Sequence, residues 1–286
     1  MVGFAIALPT LRSLQLQNQK IQMKTTRLFE DDKMTKELEL KLLRKIEFLE
    51  QEVKKLKGED KVKIPTYQYS KIRDVDLDEI VDISQKINKA KFNSWFINEI
   101  EISDENNVFL RQLLELEESY LSFYSEETLK MRFLSPLLMK IDFKTEYFQD
   151  FYNEKLIYKT DNFILTGEVD FLISTGLRRA KKPYFFIQEF KRSEEYGNPR
   201  PQLLAELISA VELNAWTQIK GAYVIGENWN FVILEKLSKD KYHYFISRTF
   251  NCTNLDDMKE IFKNLLFVKH EIIKRVKKEG TSNTNI

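Results

Sequence analysis

Two apolar runs in the middle of the chain have the alternating pattern of β-strands. They are residues 163–174 (FILTGEVDFLIS) and 184–191 (YFFIQEFK), and the polar, basic segment 175–182 (TGLRRAKK) lies between them. Side chains on a strand alternate between the two faces of a sheet, and two such runs joined by a short polar segment usually pair with each other. The sequence therefore predicts a β-hairpin at the centre of the fold.

The other elements have helix-like or strand-like periods. Helical spacing spans residues 76–100, 108–124, 125–140, 200–216 and 256–278, and strand-like runs span 221–225, 229–234 and 242–247. Ser125 suits the N-cap of its helix, and Pro136 should kink that same helix. This order of elements predicts an α/β fold, with a mixed sheet flanked by helices.

The N-terminal segment has a different pattern. Within residues 31–57, which contain no glycine or proline, Leu42, Ile46, Leu49, Val53 and Leu56 follow one another at heptad steps of four and three. Two interpretations stay open: an amphipathic helix lying on the main domain, or a coiled-coil-like helix that joins two copies. Residues 57–65 (KGEDKVKIP) have the composition of a linker. We therefore expect a helical segment over residues 1–60 and an α/β domain over 61–286, with its core at about 120–235.

Composition excludes several functional classes. The chain has 45 Lys and Arg against 44 Asp and Glu, a net charge of +1, which excludes proteins that coat nucleic acid through overall basicity but allows a local basic face. The single cysteine, Cys252, excludes a disulfide framework, and two histidines make a histidine metal site or a Ser-His-Asp triad a poor fit. The apolar start, residues 1–9, is too short to span a membrane. We expect a cytoplasmic protein without membrane contact, whose chemistry rests on carboxylates and lysines.

Asp170, Glu189 and Lys191 are ionisable residues within the otherwise apolar strands of this hairpin. Alternation places Glu189 and Lys191 on one face of the second strand, while Asp170 shares a face with Glu168 on the first. Buried carboxylates are unfavourable unless they are paired or bind a metal, and Mg²⁺ or Mn²⁺ prefers such oxygen ligands. A bound ion of this kind activates water and neutralises phosphate charge, and Lys191 could orient that water. The simpler alternative is a salt bridge at the end of the sheet, in which Lys191 pairs with Glu189 or Asp170.

These motifs resemble those of the PD-(D/E)XK nuclease superfamily over roughly residues 120–235. The matching pieces are GEVDFLI around Asp170, FFIQEFK around Glu189 and Lys191, the PQLLAEL helix that follows, and the upstream helix SEETLKMRFLSPLL. The resemblance implies a restriction-endonuclease-like fold. Val169 stands where the superfamily's eponymous proline would be, a departure that many members share.

The resemblance also implies a role for each matching residue. Asp170, Glu189 and the carbonyl of Phe190 would bind the metal, and Lys191 would be the catalytic lysine. Gln202 is similar to a glutamine found on the next helix in several branches. Glu126 or Glu127 would supply an acid from the first helix, with Glu126 favoured. The implied catalytic set is Asp170, Glu189, Lys191, Gln202 and Glu126.

Three functional hypotheses follow. The first is a magnesium-dependent nuclease that hydrolyses phosphodiester bonds, with DNA favoured as substrate, endonucleolytic cleavage favoured as mode, and the N-terminal helix joining a homodimer. The second is a non-catalytic nucleic-acid-binding or assembly module that keeps a nuclease-like core. The third is a coiled-coil interaction protein whose globular part only caps the helix.

Overall fold

The computed structural model describes residues 41–50, 52–53, 64–193 and 198–282. The chain divides into two compact units, Met1–Lys63 and Ile64–Ile286. In the first unit, residues 41–50 and 52–53 are helical, and Leu42, Ile46, Leu49 and Val53 are each about half exposed. Leu56, the rest of the helix predicted over 31–57, and the predicted boundary after residue 60 lie outside the described residues.

The second unit alternates helices with strands. Its strands are β1 Thr66–Gln68, β2 Asp82–Gln85, β3 Gln149–Lys159, β4 Ile164–Thr175, β5 Lys181–Lys191, β6 Gln218–Ile225, β7 Asn228–Ser238, β8 Lys241–Ile246 and β9 Phe250–Asn251. Its helices are α1 Asp74–Ile80, α2 Asn93–Phe96, α3 Asp104–Glu117, α4 Glu126–Leu129, α5 Ser135–Ile141, α6 Pro199–Leu213 and α7 Leu255–Ser282. A π-helical turn, Lys130–Leu134, joins α4 to α5. None of the described helices has the length and apolar character needed to cross a membrane.

The described strands form one mixed sheet. Its order is β1-β4-β5-β6-β7-β8-β2, with β3 added beside β4 and β9 beside β7. The predicted central hairpin is present as the antiparallel pair β4–β5, and the strand-like runs 221–225 and 229–234 pair as the antiparallel strands β6 and β7. Strand β6 runs parallel to β5 because α6 carries the chain back across the sheet. The α/β class and the mixed sheet flanked by helices are therefore confirmed.

Hydrophobic side chains cover both faces of this sheet. One face packs against α2, α3, α5 and the amphipathic α7, around buried aromatic residues such as Trp95, Phe186 and Phe231. The other face packs against α1 and α6, around Ile187, Leu203 and Leu207. Strand β5 sends alternate residues to the two layers, since Phe186 and Phe190 belong to the first and Ile187 to the second. That alternation fixes the face on which Glu189 lies.

Gly221 of β6 lies where strand β5 and helix α6 leave no room for a side chain. A Cβ atom added at Gly221 of β6 would stand 2.8 Å from the carbonyl oxygen of Ile187 and 3.0 Å from Leu207 Cδ2. Such distances are shorter than carbon contacts in folded proteins allow, so a residue without a side chain is needed here. The absence of a side chain at Gly221 therefore lets Leu203 and Leu207 of α6 pack directly on the sheet.

The helix over residues 125–140 forms as the sequence predicts at its start. Ser125 caps it, because its side-chain oxygen accepts a hydrogen bond from the amide of Thr128 (3.2 Å). Pro136, which was expected to kink this helix, lies in the first turn of α5. The residues before it, Lys130–Leu134, widen into the π-helical turn, an irregularity of the kind at which helices bend. Wide turns of this kind are frequent at functional sites.

One predicted helix is largely wrong. Residues 76–100 were expected to be helical, but only Asp74–Ile80 and Asn93–Phe96 are α-helical, and Asp82–Gln85 between them is strand β2. This strand pairs in parallel with β8, about 160 residues later in the chain. Its sequence, DISQ, has too few residues for its own period to identify it.

Candidate active site

The ends of β4 and β5 bring Asp170, Glu189 and Lys191 together. The ladder between these strands ends at the pair Phe171–Gln188. Beyond it, the amide of Phe190 donates to Asp170 Oδ2 at 3.0 Å, so the aspartate side chain takes the place of a backbone partner. Lys191 Nζ lies 2.7 Å from Glu189 Oε1 and 3.1 Å from the carbonyl oxygen of Phe190. The four groups thus occupy one small patch where the hairpin stops pairing.

Helix α4 adds a third element to this patch. Glu126, in its first turn, lies 3.9 Å from Lys191 Nζ through Oε1. The same oxygen lies 3.0 Å from Lys130 Nζ, which also lies 3.0 Å from Asp170 Oδ1. Glu127 is exposed. Of the two acids considered for the first helix, Glu126 is the one that the structure places at the cluster.

The predicted site residues differ in how closely they join the cluster. The Gln202 side chain donates a hydrogen bond to Glu206 Oε1 (3.1 Å). The described hydrogen bonds include none from Gln202 to Asp170, Glu189 or Lys191. Glu168, two residues before Asp170, is exposed and stands opposite Lys155 on β3. Gln202 therefore reaches the cluster through Glu206, and Glu168 faces solvent.

Two further residues of the cluster are not identified by the sequence reasoning. Glu206 is fully buried on α6, and Lys130 opens the π-helical turn. The sequence does contain a feature that marks each residue. Glu206 is the one charged residue in the buried run 201–211 of α6. Lys130 follows Glu126 by four residues, which is one helical turn. Neither spacing specifies that the side chain meets β4 or β5.

Burial and mutual repulsion dominate the electrostatics of the acids. Burial, and then the nearby Asp170 carboxylate, raise the pKa of Glu189 to about 8. Burial, and then Glu189, likewise raise the pKa of Glu206 well above its ordinary value. Two acids in one apolar site cannot both be charged without strong compensation. The site therefore favours a proton or a further cation.

The lysines of the site are held as ammonium ions. Burial by itself would lower the pKa of Lys191, but the carboxylates of Glu189, Glu126 and Asp170 together outweigh burial and raise it. The pKa of Lys130 is raised in the same way, since the attractions of Asp170 and Glu126 together exceed the effect of burial. Both groups therefore donate hydrogen bonds at neutral pH and cannot accept a proton there. Their chemistry is that of charge neutralisation and orientation.

The residues present fit a magnesium ion. Glu189 Oε2 and Glu206 Oε2 are buried without a hydrogen-bond partner among the described residues, and such orphaned oxygens call for a missing ligand. Across the described ranges, no group of three or more His, Cys, Asp or Glu side chains is assembled as a metal cage. Magnesium does not need one, because it commonly binds one or two carboxylates and keeps several waters. Asp170, Glu189 and the Phe190 carbonyl supply that kind of set.

Comparison of the whole chain with protein-family models and with curated proteins finds no match. The family assignment therefore depends on the short motifs around Asp170, Glu189 and Gln202, and it stays a proposal.

Proposed function

We propose that this protein is a magnesium-dependent nuclease of the PD-(D/E)XK type, with a restriction-endonuclease-like core. The observation that carries the proposal is the convergence of Asp170, Glu189, the Phe190 carbonyl and Lys191 where β4 and β5 stop pairing. Such a cluster inside an otherwise apolar sheet is electrostatically unfavourable without a cation, and cells offer magnesium for oxygen ligands of this kind. Glu126 on α4 adds a further acid at the same place.

Each residue has a definite task in this proposal. Asp170, Glu189 and the Phe190 carbonyl would hold the ion, and the ion would activate water and neutralise charge on the scissile phosphate. Lys191, as an ammonium ion beside Glu189, orients the attacking water and stabilises negative charge that develops on the phosphate oxygens. Glu206 acts on Glu189 through charge, since each carboxylate disfavours ionisation of the other, and Gln202 donates a hydrogen bond to Glu206.

DNA is the proposed substrate and endonucleolytic cleavage the proposed mode. Supercoiled circular DNA incubated with the purified chain and Mg²⁺ should be nicked or linearised, and EDTA should stop the reaction. Linear DNA and RNA of the same sequence, tested in parallel, distinguish exonuclease and ribonuclease activity.

Conservative variants test the assigned residues. Asp170→Asn and Lys191→Met should each lower the cleavage rate by at least about a hundredfold, as loss of a preorganised charged group does in other enzymes. Asp161→Asn and Lys239→Met make the same changes at exposed positions in strand-connecting turns, and they should cleave normally. Full cleavage by Lys191→Met would rule out the mechanism.

A second candidate function has one specific observation in its favour. Lys130 and Lys191 already neutralise Asp170, Glu126 and Glu189, as the ion pairs of a purely structural sheet end would. A non-catalytic module that binds nucleic acid predicts salt-sensitive binding and no cleavage with Mg²⁺ or Mn²⁺. The cleavage experiment separates the two candidates.

A further inference from the structure

An open polar groove lies on the face of the sheet that carries Glu189 and Lys191, the part of the acid–lysine cluster (Glu126, Lys130, Asp170, Glu189, Lys191 and Glu206) that belongs to strand β5. Its volume is about 630 Å³, within the range of sites that hold small organic molecules. Its polar lining is formed by Tyr223, Asn228, Asn230, Gln85, Ser247 and Thr249. In the register of the sheet, Glu189 pairs with Tyr223 and Lys191 with Ile225. Adjacent strands are roughly 4.8 Å apart, so the near wall of the groove is one strand away from the cluster.

The chemistry of the groove differs from that of the cluster. None of the residues that line it, as the structure describes it, carries a charge. The exposed amides of Asn228 and Gln85 supply donors and acceptors, whereas Asn230 already donates to Thr249 Oγ1 (3.0 Å). Tyr223 and two isoleucines, Ile225 and Ile246, supply apolar surface. A phosphate would find no ammonium group there. A nucleobase needs both hydrogen-bonding groups and apolar surface. Its edge forms hydrogen bonds with amides, and its face packs against apolar side chains.

The depth of the polar groups indicates an unpaired base. Asn230 and Tyr223 pair with each other across β6 and β7, and they are only 8% and 9% exposed. Groups this recessed are reached by a ligand that enters the groove, whereas a stacked duplex presents its base edges to side chains that protrude. Recognition of recessed polar groups is typical of bases that have left the stack.

We propose that this groove binds an unpaired nucleobase next to the phosphate held at the acid–lysine cluster. The inference rests on the proposed function and specifies that the strand is unpaired where it is cut, as each strand is in locally melted segments of supercoiled DNA. The phosphate would lie by Lys191 and Lys130, and the neighbouring base would lie one strand away, over Tyr223. The groove itself does not distinguish DNA from RNA, because the edge of a base is the same in both.

Binding measured without catalysis tests the groove. Fluorescence anisotropy in EDTA, with the full-length chain and labelled 12-nucleotide homopolymers of DNA and RNA, should show tighter binding of single strands than of a duplex, and affinity that depends on the base. Asn228→Ala and Gln85→Ala change two exposed amides of the groove. Together they should weaken single-strand binding by at least about tenfold and remove the base dependence. Either single variant should show part of this loss.

A matched control comes from the opposite face of the sheet. Gln112→Ala removes an exposed amide from α3, which packs on the other layer, and it should bind like the unchanged protein. Wild-type binding that favours duplex, or a groove variant that keeps its affinity and base dependence, would overturn the groove inference while magnesium-dependent cleavage could still stand. Loss of binding in the groove variant, with no cleavage by the wild type, would support the groove and defeat the nuclease. A wild-type protein that neither binds nor cleaves would defeat both.

Discussion

At the scale of single residues, the Glu189 carboxylate is unfavourable in its charged form. Its side chain is 1% exposed, and its pKa is raised from 4.5 to about 8 by burial and by Asp170. The folded protein therefore keeps a proton that the unfolded chain releases. A group of this kind stabilises the fold fully below the unfolded pKa, and that contribution is lost as the pH rises through the folded pKa.

The free energy of unfolding of the metal-free protein should fall as the pH rises from about 5 to about 8. The slope due to one such proton is at most about 1.4 kcal/mol per pH unit. Glu189→Gln cannot ionise and should flatten this dependence, leaving the part that belongs to Glu206. Urea unfolding in EDTA at several pH values measures the pH dependence of the free energy of unfolding. Glu168→Gln, on the exposed face of β4, should keep the wild-type slope, and an equal slope in Glu189→Gln would contradict the assignment.

Lys130 should compete with magnesium. Its ammonium lies 3.0 Å from both Asp170 Oδ1 and Glu126 Oε1 and adds positive charge where a cation would otherwise be attracted. Lys130→Met should strengthen Mg²⁺ binding by up to roughly fivefold, the equivalent of about 1 kcal/mol for one partly buried charge pair. Isothermal titration calorimetry without substrate measures this. Lys140→Met breaks an ion pair with Glu105 away from the cluster and should leave Mg²⁺ binding unchanged. Weaker Mg²⁺ binding in Lys130→Met would show that Lys130 supports the site.

At the scale of elements, the sequence predicts best what has strong local periodicity. This holds for the β4–β5 and β6–β7 hairpins, the buried α6 and the amphipathic α7, which are long and have a regular hydrophobic pattern. The two-residue turn at Gly226 (φ 56°) needs the positive φ that glycine allows. Strand β3 is not predicted from the sequence because it pairs only with β4 and has one fully buried side chain, Leu156. Its mostly solvated residues give no clear alternation.

The same limit applies to the candidate site. Asp170, Glu189 and Lys191 could be placed together because they lie on adjacent strands of one hairpin, where alternation and register decide the geometry. Glu206 and Lys130 could not, because their positions depend on how α6 packs over β5 and where the π-helical turn meets β4. Such contacts between distant segments follow from packing of whole elements, and no short motif encodes them.

The packing of α6 on the sheet should be sensitive to one methyl group. Gly221→Ala places a Cβ 2.8 Å from the backbone oxygen of Ile187, so helix or strand must shift. Overpacking of this kind typically lowers the free energy of unfolding by about 1–3 kcal/mol. Urea or thermal unfolding measures the change. Unaltered stability would mean that α6 moves away at no cost, and the position of Glu206 against Glu189 would then be less constrained than we infer.

At the scale of the whole molecule, the second unit contains every residue of the candidate site. A fragment comprising residues 64–286 should therefore fold and keep Mg²⁺-dependent cleavage. Circular dichroism and the plasmid assay test these two properties separately. Loss of cleavage by a folded fragment would show that the first unit takes part in catalysis. An active fragment would exclude the hypothesis that the globular part only caps a helical scaffold.

The apolar seam of the first unit should decide whether one or both strands of DNA are cut. Ile46 is 51% exposed in the single chain, and the neighbouring residues of the seam are exposed to a similar degree. A heptad surface of this kind is normally buried against a second helix. Ile46→Lys should convert a dimer to a monomer in sedimentation experiments and change double-strand breaks in supercoiled DNA to nicks, since each active site then acts alone. Glu47→Lys introduces the same lysine beside the seam at an exposed helical position, and it should stay dimeric and keep making double-strand breaks. A monomeric wild-type protein that still linearises the plasmid would exclude a dimeric mode of cleavage and favour the interpretation of the segment as an amphipathic helix.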